Sequence, residues 1–357
     1  MMPFDSDDLS ALFREHIIAA IAGSYALNLQ GSGSKNFYGR PASGKPLKVN
    51  AHQGVINYQP SELIITVRCG TRLTDIEALM DKQNQIFAFE PPYFGPDATI
   101  GGVIATGLSG PRRPYAGSVR DAVLGVRLIN GKGEIVKFGG EVLKNVAGFD
   151  ISRLMTGALG TLGLLLDVSL KVLPQPEQEC TLLFQAPQNQ AIVQINEWTR
   201  QGWPLSAACH YDNGLYIRLS GAKLAVKAAR EKLGGERLTH EDACYFWSNL
   251  REHRLAFFQD DRPLWRLSLS AAAMQPKLAG DCLIDWGGYL RWLKTDEPPI
   301  RVISEAQRLG GHACCFRSVS GSQFQPLPPA LKKVHQGLKM AFDPHGVFNP
   351  GRMYSDW

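Results

Sequence analysis

The chain has 357 residues, 44% of them hydrophobic and 20% charged, with a formal net charge of +5. This composition suits a globular protein with two or three cores and excludes a disordered chain. No apolar run reaches the roughly 18 residues of a membrane-spanning helix, no run of Lys and Arg marks a nucleic-acid groove, and the acidic opening MMPFDSDDLS argues against export. Cys69, Cys180, Cys209, Cys244, Cys282, Cys314 and Cys315 match no disulfide framework, zinc site or iron–sulfur run. Adjacent Cys314 and Cys315 would point to opposite faces of a strand, so no metal site is expected.

In chain order, Leu9, Leu12, Phe13, Ile17 and Ile21 predict a helix over 7–22, with Ser6 as its N-cap. A strand over 26–30 leads into the glycine-rich segment 31–39. A strand over 63–68 and a helix over 71–83 follow. Residues 90–117 are rich in Gly and Pro and carry no lasting periodicity, which reads as a functional loop. Strands 122–129 and 134–138 flank Asn130-Gly131-Lys132-Gly133, a hairpin signal. A short helix over 151–159 and a strand over 164–172 precede Pro174 and Pro176, where a domain boundary is placed. Beyond it, strand 181–185, helix 191–200, strand 215–219 and helix 224–233 suggest an antiparallel sheet backed by helices. Further strands are expected at 265–269, 283–292 and 314–317, with helices at 303–309 and 331–342.

Four segments could carry chemistry. Gly31-Ser32-Gly33-Ser34 after a strand reads as a pyrophosphate nest or as an ordinary turn. It is neither the nicotinamide fingerprint, since residue 36 is Asn, nor a P-loop. The small residues from Ala98 and Thr99 through Gly101, Gly102 and Ala105 to Gly107 suit close approach of backbone to a flat ring or phosphate, or a tightly packed loop. Arg112 and Arg113, held between Pro111 and Pro114 after Gly110, could serve a phosphate, an acidic substrate or a partner. Lys144-Asn145-Val146-Ala147-Gly148-Phe149-Asp150, ahead of Arg153, sets polar side chains beside a glycine.

In this order, the segments resemble the FAD-binding domain of the vanillyl-alcohol oxidase/p-cresol methylhydroxylase superfamily. Within it, Gly110-Pro111-Arg112-Arg113-Pro114, Ser118-Val119-Arg120-Asp121, Phe138-Gly139-Gly140-Glu141-Val142 and Lys144-Asn145-Val146-Ala147-Gly148 are similar to the smaller FAD-binding subunits, subunits E, of bacterial glycolate dehydrogenases (glycolate oxidases). The resemblance implies an α+β fold: a two-subdomain FAD-binding domain over 1–174, an antiparallel-sheet cap over 175–335, and a segment over 336–357 returning to the flavin. It implies FAD contacts from Gly31, Ser32, Gly33, Ser34, Pro92, Ala98, Thr99, Gly101, Gly102, Ala105 and Gly110. The segment containing Gly157, Gly160 and Leu164 matches the adenine side. Arg112 and Arg113 join these as candidates, as do Asn349 and Arg352 in the tail Phe342-Asp343-Pro344-His345-Gly346-Val347-Phe348-Asn349-Pro350-Gly351-Arg352.

Residues 31–39 contain neither His nor Cys, so non-covalent FAD is expected. The resemblance also implies a larger FAD-binding subunit and an iron–sulfur subunit as partners. Oxidation of glycolate to glyoxylate would send electrons to a membrane carrier, with the chain cytoplasmic and peripheral at the inner membrane only through those partners. Oxidising a 2-hydroxy acid needs a base and a cation for the carboxylate. His210, His312 and Arg317, at the ends of expected cap strands, are the candidates. The eight histidines form no His-x-His or close cluster, which weakens an independent hydroxy-acid site. The alternatives are a self-sufficient FAD-dependent 2-hydroxy-acid dehydrogenase, for glycolate or D-lactate, and a scaffold that kept the fold without chemistry.

Overall fold

The computed structural model of the chain describes residues 8–140, 150–318 and 323–356. They fall into two units, one of Met1–Leu108, Ser118–Pro174 and Pro326–Trp357, the other of Ser109–Gly117 and Gln175–Gln325.

In the first unit, helix Ser10–Ala22 buries Phe13, Ile17 and Ala20, a stripe at helical spacing. The Asp8 carboxylate accepts the Ser10 amide at 2.9 Å, while the expected N-cap, Ser6, lies outside the described residues. The helix leads to strand Leu27–Gln30, which pairs in parallel with Lys45–Lys48. A second sheet runs in the order Val55–Gln59, Ile64–Arg68, Leu164–Lys171, Val123–Ile129 and Ile135–Gly139, antiparallel throughout. The turn between its last two strands is fixed by Asn130, whose Oδ1 accepts the amides of Lys132 at 2.9 Å and Glu134 at 3.0 Å. Helices Leu73–Asp81 and Ile100–Thr106 complete a core in which Ile65, Val67, Ile76, Val103, Leu128 and Val168 are buried. Each such side chain contributes about 1.5–3 kcal/mol through burial.

The second unit is built on an antiparallel sheet. Among the described residues its order is Glu236–Arg237, Gln178–Gln185, Gly214–Gly221, Leu205–Tyr211, Asp281–Asp285, Leu290–Lys294, Leu264–Ser268, His312–Arg317 and Gln323–Phe324. Helices Gln188–Arg200, Lys223–Leu233 and Pro299–Arg308 pack on it through Ala191, Ile195, Val226, Ala229, Val302 and Ala306.

Several elements differ from expectation, among them helix His240–Arg251, which was not expected, and the helix over 151–159, which ends at Leu154. The run 283–292 is two strands, not one: Trp286, Gly287 and Gly288 turn the chain with φ of 52°, 63° and 105°, and Asp285 pairs with Leu290. Strand Leu205–Tyr211, expected only through its end at His210, shows no start in the sequence because it is buried on both faces and so does not alternate. The loop 90–117 holds two short helices, Ile100–Thr106 and Arg113–Ala116, too brief to show a period.

Candidate functional site

A cleft opens in the first unit. Four segments line it. The first follows strand Leu27–Gln30. Gly31 must lack a side chain, because a Cβ there would lie 2.9 Å from Thr99 Oγ1, and Gly33 adopts φ +81°. Among the described residues no internal hydrogen bond engages the amides of Ser32 or Gly33, so both can face an anion. Beside them Lys35 is 5% exposed, its Nζ donating to Tyr93 O at 3.0 Å and Ser34 Oγ at 3.4 Å.

Thr99 begins the second segment. Its Oγ1 accepts the Gly102 amide at 3.2 Å, and the helix it caps presents Gly101, Gly102, Ala105 and Thr106 to the cleft. Gly101 packs on Cys69, whose carbonyl accepts its amide at 2.8 Å. The third segment supplies Leu159, Gly160, Gly163, Leu164 and Leu165. The fourth is the tail. Asn349 is buried at φ +42°; its Oδ1 accepts the Leu29 amide and its Nδ2 donates to Leu159 O, both at 2.8 Å. Arg352 donates to the carbonyls of Asn36 at 3.2 Å, Tyr38 at 2.8 Å and Arg40 at 2.7 Å.

The tail is held by a buried ion pair. Lys339 Nζ donates to Asp343 Oδ2 at 2.6 Å, Thr161 O at 2.8 Å and Phe348 O at 2.9 Å. Asp343 in turn accepts the amides of Val347 at 2.9 Å and Phe348 at 2.8 Å. Phe348 then runs parallel to Leu27, which sets Asn349 against the first segment.

Thus Gly31, Ser32, Gly33, Ser34, Thr99, Gly101, Gly102, Ala105, Gly160, Leu164, Asn349 and Arg352 come together around one cleft. Other expected residues lie elsewhere. Ala98 and Pro92 are buried outside the lining, and Ala98 O accepts the Leu73 amide at 2.8 Å. Gly157 donates its amide to Ile104 O at 2.9 Å, and its Cα is the nearest atom that a Cβ on Gly107 would meet. Gly110, Arg112 and Arg113 belong to the second unit. There Gly110 O accepts Trp286 Nε1 at 3.0 Å, Arg112 pairs with Glu179 at 2.8 Å, and the Arg113 guanidinium lies 4.3 Å from the Trp286 ring centre. Of the fourth sequence segment, 144–149 lies outside the described residues; Asp150 Oδ1 accepts the Arg153 amide at 3.0 Å.

His210, His312 and Arg317 also lie in the second unit. Three strands separate the strand of His210 from that of His312 and Arg317, a span of about 19 Å at the usual strand spacing. The structure therefore does not join His210 with His312. His210 is buried, donates Nε2 to Ala186 O at 2.8 Å, and is pushed below its ordinary pKa by burial. His312 is exposed at the start of its strand. Desolvation, then the charges of Arg266 and Arg113, lower its pKa. Arg317 is half-buried.

Lys35, Asn36, Cys69 and Thr106 line the cleft without having been singled out. The sole hint was Lys35 directly after the glycine–serine segment. Cys69 bears on the linkage to a cofactor: burial, then Asp167, push its thiol well above the ordinary value, which keeps it protonated and non-nucleophilic. Lys35 and Arg352 supply two positive charges beside free amides, the donor set a diphosphate requires. Small residues along the helix from Ile100 leave room for a flat ring.

The family described as FAD binding domain matches residues 14–139. The chain is 49% identical to glycolate oxidase subunit GlcE of Escherichia coli (strain K12), over 98% of each chain. It is 28% identical to glycolate oxidase subunit GlcD of Bacillus subtilis (strain 168), over 99% of this chain and 88% of that one. The solved structure of p-cresol methylhydroxylase with substrate bound superposes with a TM-score of 0.66 at 12% identity, covering 97% of this chain and 87% of that one. At that identity the likeness shows the fold, which is α+β and of the p-cresol methylhydroxylase type. No helix among the described residues is long and apolar enough to cross a membrane, and no three-residue metal cluster occurs among them. The chain belongs to the family of glycolate oxidase subunit GlcE and carries an FAD-binding domain.

Proposed function

We propose that this chain is the FAD-bearing subunit of a heteromeric glycolate dehydrogenase that oxidises glycolate to glyoxylate. The observation that carries the reading is full-length identity of 49% to a glycolate oxidase subunit, in a chain whose matching segments converge on one cleft. The larger partner is a second FAD-binding subunit of the same superfamily, akin to the GlcD relative. An iron–sulfur subunit would carry electrons on to a membrane carrier, and membrane contact would come through those partners, at the cytoplasmic face of the inner membrane.

FAD bound in the cleft supplies a two-electron acceptor. The amides of Ser32 and Gly33, with Lys35 and Arg352, would hold its diphosphate. Gly101, Gly102 and Ala105 would admit its ring, with Gly160 and Leu164 on the adenine side. Asn349 closes the cleft by tying the tail to Leu29 and Leu159. A protonated Cys69 and the absence of His from the lining favour non-covalent attachment. The separation of His210 from His312 and Arg317 favours a subunit acting within the complex over a self-sufficient dehydrogenase.

The test is anaerobic addition of glycolate to the purified chain, alone and co-expressed with its two partner subunits. Bleaching of flavin absorbance in the complex and not in the isolated chain is expected. Bleaching of the isolated chain would establish its own hydroxy-acid site, and a flavin that no preparation reduces would leave a scaffold.

A further inference from the structure

Arg291 is 0% exposed in the second unit. Its Nη1 donates to Gly288 O, while Nε and Nη2 have no acceptor among the described residues. Burial lowers its pKa, with only the Cys282 thiol opposing, so no carboxylate among the described residues neutralises it. Arginine cannot shed its proton, and a buried charge left unpaired is costly. The two idle donors form one edge of the guanidinium fork, the arrangement that takes both oxygens of a carboxylate.

Ile284 pairs with Arg291 on one side and with His210 on the other, and directly paired residues share a face of the sheet. His210 is buried and donates Nε2 to Ala186 O at 2.8 Å. Burial lowers its pKa; in the neutral ring Nδ1 is an acceptor, and it has no donor among the described residues. The backbones of His210 and Arg291 stand two strand spacings apart, about 9.5 Å, with Ile284 as an apolar floor between them. This row is a seam. His210 shares its face with Ala208, in the core under helix Gln188–Arg200, and Arg291 pairs with Leu267, in the core under helix Pro299–Arg308. Strands Leu205–Tyr211 and Asp281–Asp285 pair only through Ile284 and His210. Gln188, the first residue of its helix, also leaves a buried Nε2 without an acceptor. Its side chain stands beside Cys282, which shares the face of Ile284.

We propose that this seam is a binding site for a small hydroxycarboxylate, built wholly from the second unit. The carboxylate lies on the Nε–Nη2 edge of Arg291 and accepts from Gln188 Nε2, which supplies the missing negative charge. The hydroxyl donates to His210 Nδ1. Arg291 thus selects the acid group, and His210 selects the hydroxyl beside it. One ligand satisfies idle donors and an idle acceptor together, which a halide ion cannot do.

The test is a ligand-detected NMR titration of the full FAD-loaded chain with acetate and with glycolate at constant chloride. Glycolate is expected to bind about tenfold more tightly than acetate, the gain from one hydrogen bond to a buried acceptor. His210→Phe should bring glycolate down to the acetate value and leave acetate unchanged. Gln188→Met should weaken both acids several-fold, and Arg291→Met should abolish both. Gln188 lies at a helix start and His210→Phe keeps an aromatic ring in place, so these two variants decide the matter if Arg291→Met does not fold. Equal affinity for the two acids, or binding that Gln188→Met and His210→Phe leave unchanged, would overturn the proposal. So would no saturable binding, with the idle groups then met by buried water. The flavin spectrum, recorded alongside, reports separately on turnover.

Discussion

Asn349 joins three segments that are far apart in the chain. It does so from a left-handed conformation that asparagine tolerates better than most residues. Its two side-chain hydrogen bonds to Leu29 and Leu159 are each worth about 1 kcal/mol. Asn349→Ala is therefore expected to weaken FAD binding about tenfold or more, measured by flavin fluorescence titration. Lys35→Met should also weaken FAD, and should flatten the dependence of its affinity on salt, because one of two cations at the diphosphate is gone. Many of the residues legible in the sequence were those whose chemistry demands smallness, while Asn349 and Arg352 were legible through the resemblance of the tail. Gly31, Gly101, Gly102 and Ala105 stood out because backbone must approach the ligand. Lys35 did not, since a single lysine carries no spacing, and Cys69 lies in no motif and meets the cleft only through the packing of Gly101. Arg112 and Arg113 show the limit: paired arginines announce an anion, yet here they meet Glu179 and a tryptophan face.

At the scale of elements, helix Pro329–Phe342 and the tail act as one device, with Lys339 and Asp343 as its latch. Removing one partner leaves a buried charge unpaired, which costs about 3–5 kcal/mol. Asp343→Ala should thus lower the urea midpoint and loosen FAD, because Val347 and Phe348 lose the acceptor that places Asn349. Isoelectronic Asp343→Asn should recover only part of this. A result in which Asp343→Ala binds FAD normally would separate the latch from the cleft. Elements with strong periods were readable: the hairpin around Asn130, helices Gln188–Arg200 and Lys223–Leu233, and strand Leu164–Lys171. Those that failed did so for physical reasons. Strand Leu205–Tyr211, legible only at its His210 end, is covered on both faces and does not alternate, and the turn at Trp286–Gly288 lay hidden inside an apolar run whose two glycines were its only mark.

For the whole molecule, the pH dependence of stability should be set in part by the second unit. Burial, then the charges of Arg317, Arg266 and Lys294, hold His253 well below its ordinary pKa. Below about pH 6.5 the unfolded chain takes up a proton that the folded chain refuses, so stability falls as pH drops through that value. The decline continues until the folded His253 itself titrates, with a slope of up to about 1.4 kcal/mol per pH unit from this one group. Urea unfolding at pH 7.5 and pH 5.5 should show it, and His253→Phe should reduce the slope, with buried His210 leaving a remainder of the same sign. The FAD-binding half was legible because its motifs occur in a fixed order. The assignment of 109–117 to the second unit was not, because only tertiary contact decides which core a loop joins. The most direct test of the account is the absorbance spectrum of the purified full chain before and after acid precipitation. A yellow protein with one FAD per chain, released entirely into the supernatant, is predicted. A colourless chain that does not take up added FAD, or flavin that stays with the precipitated protein, would contradict it.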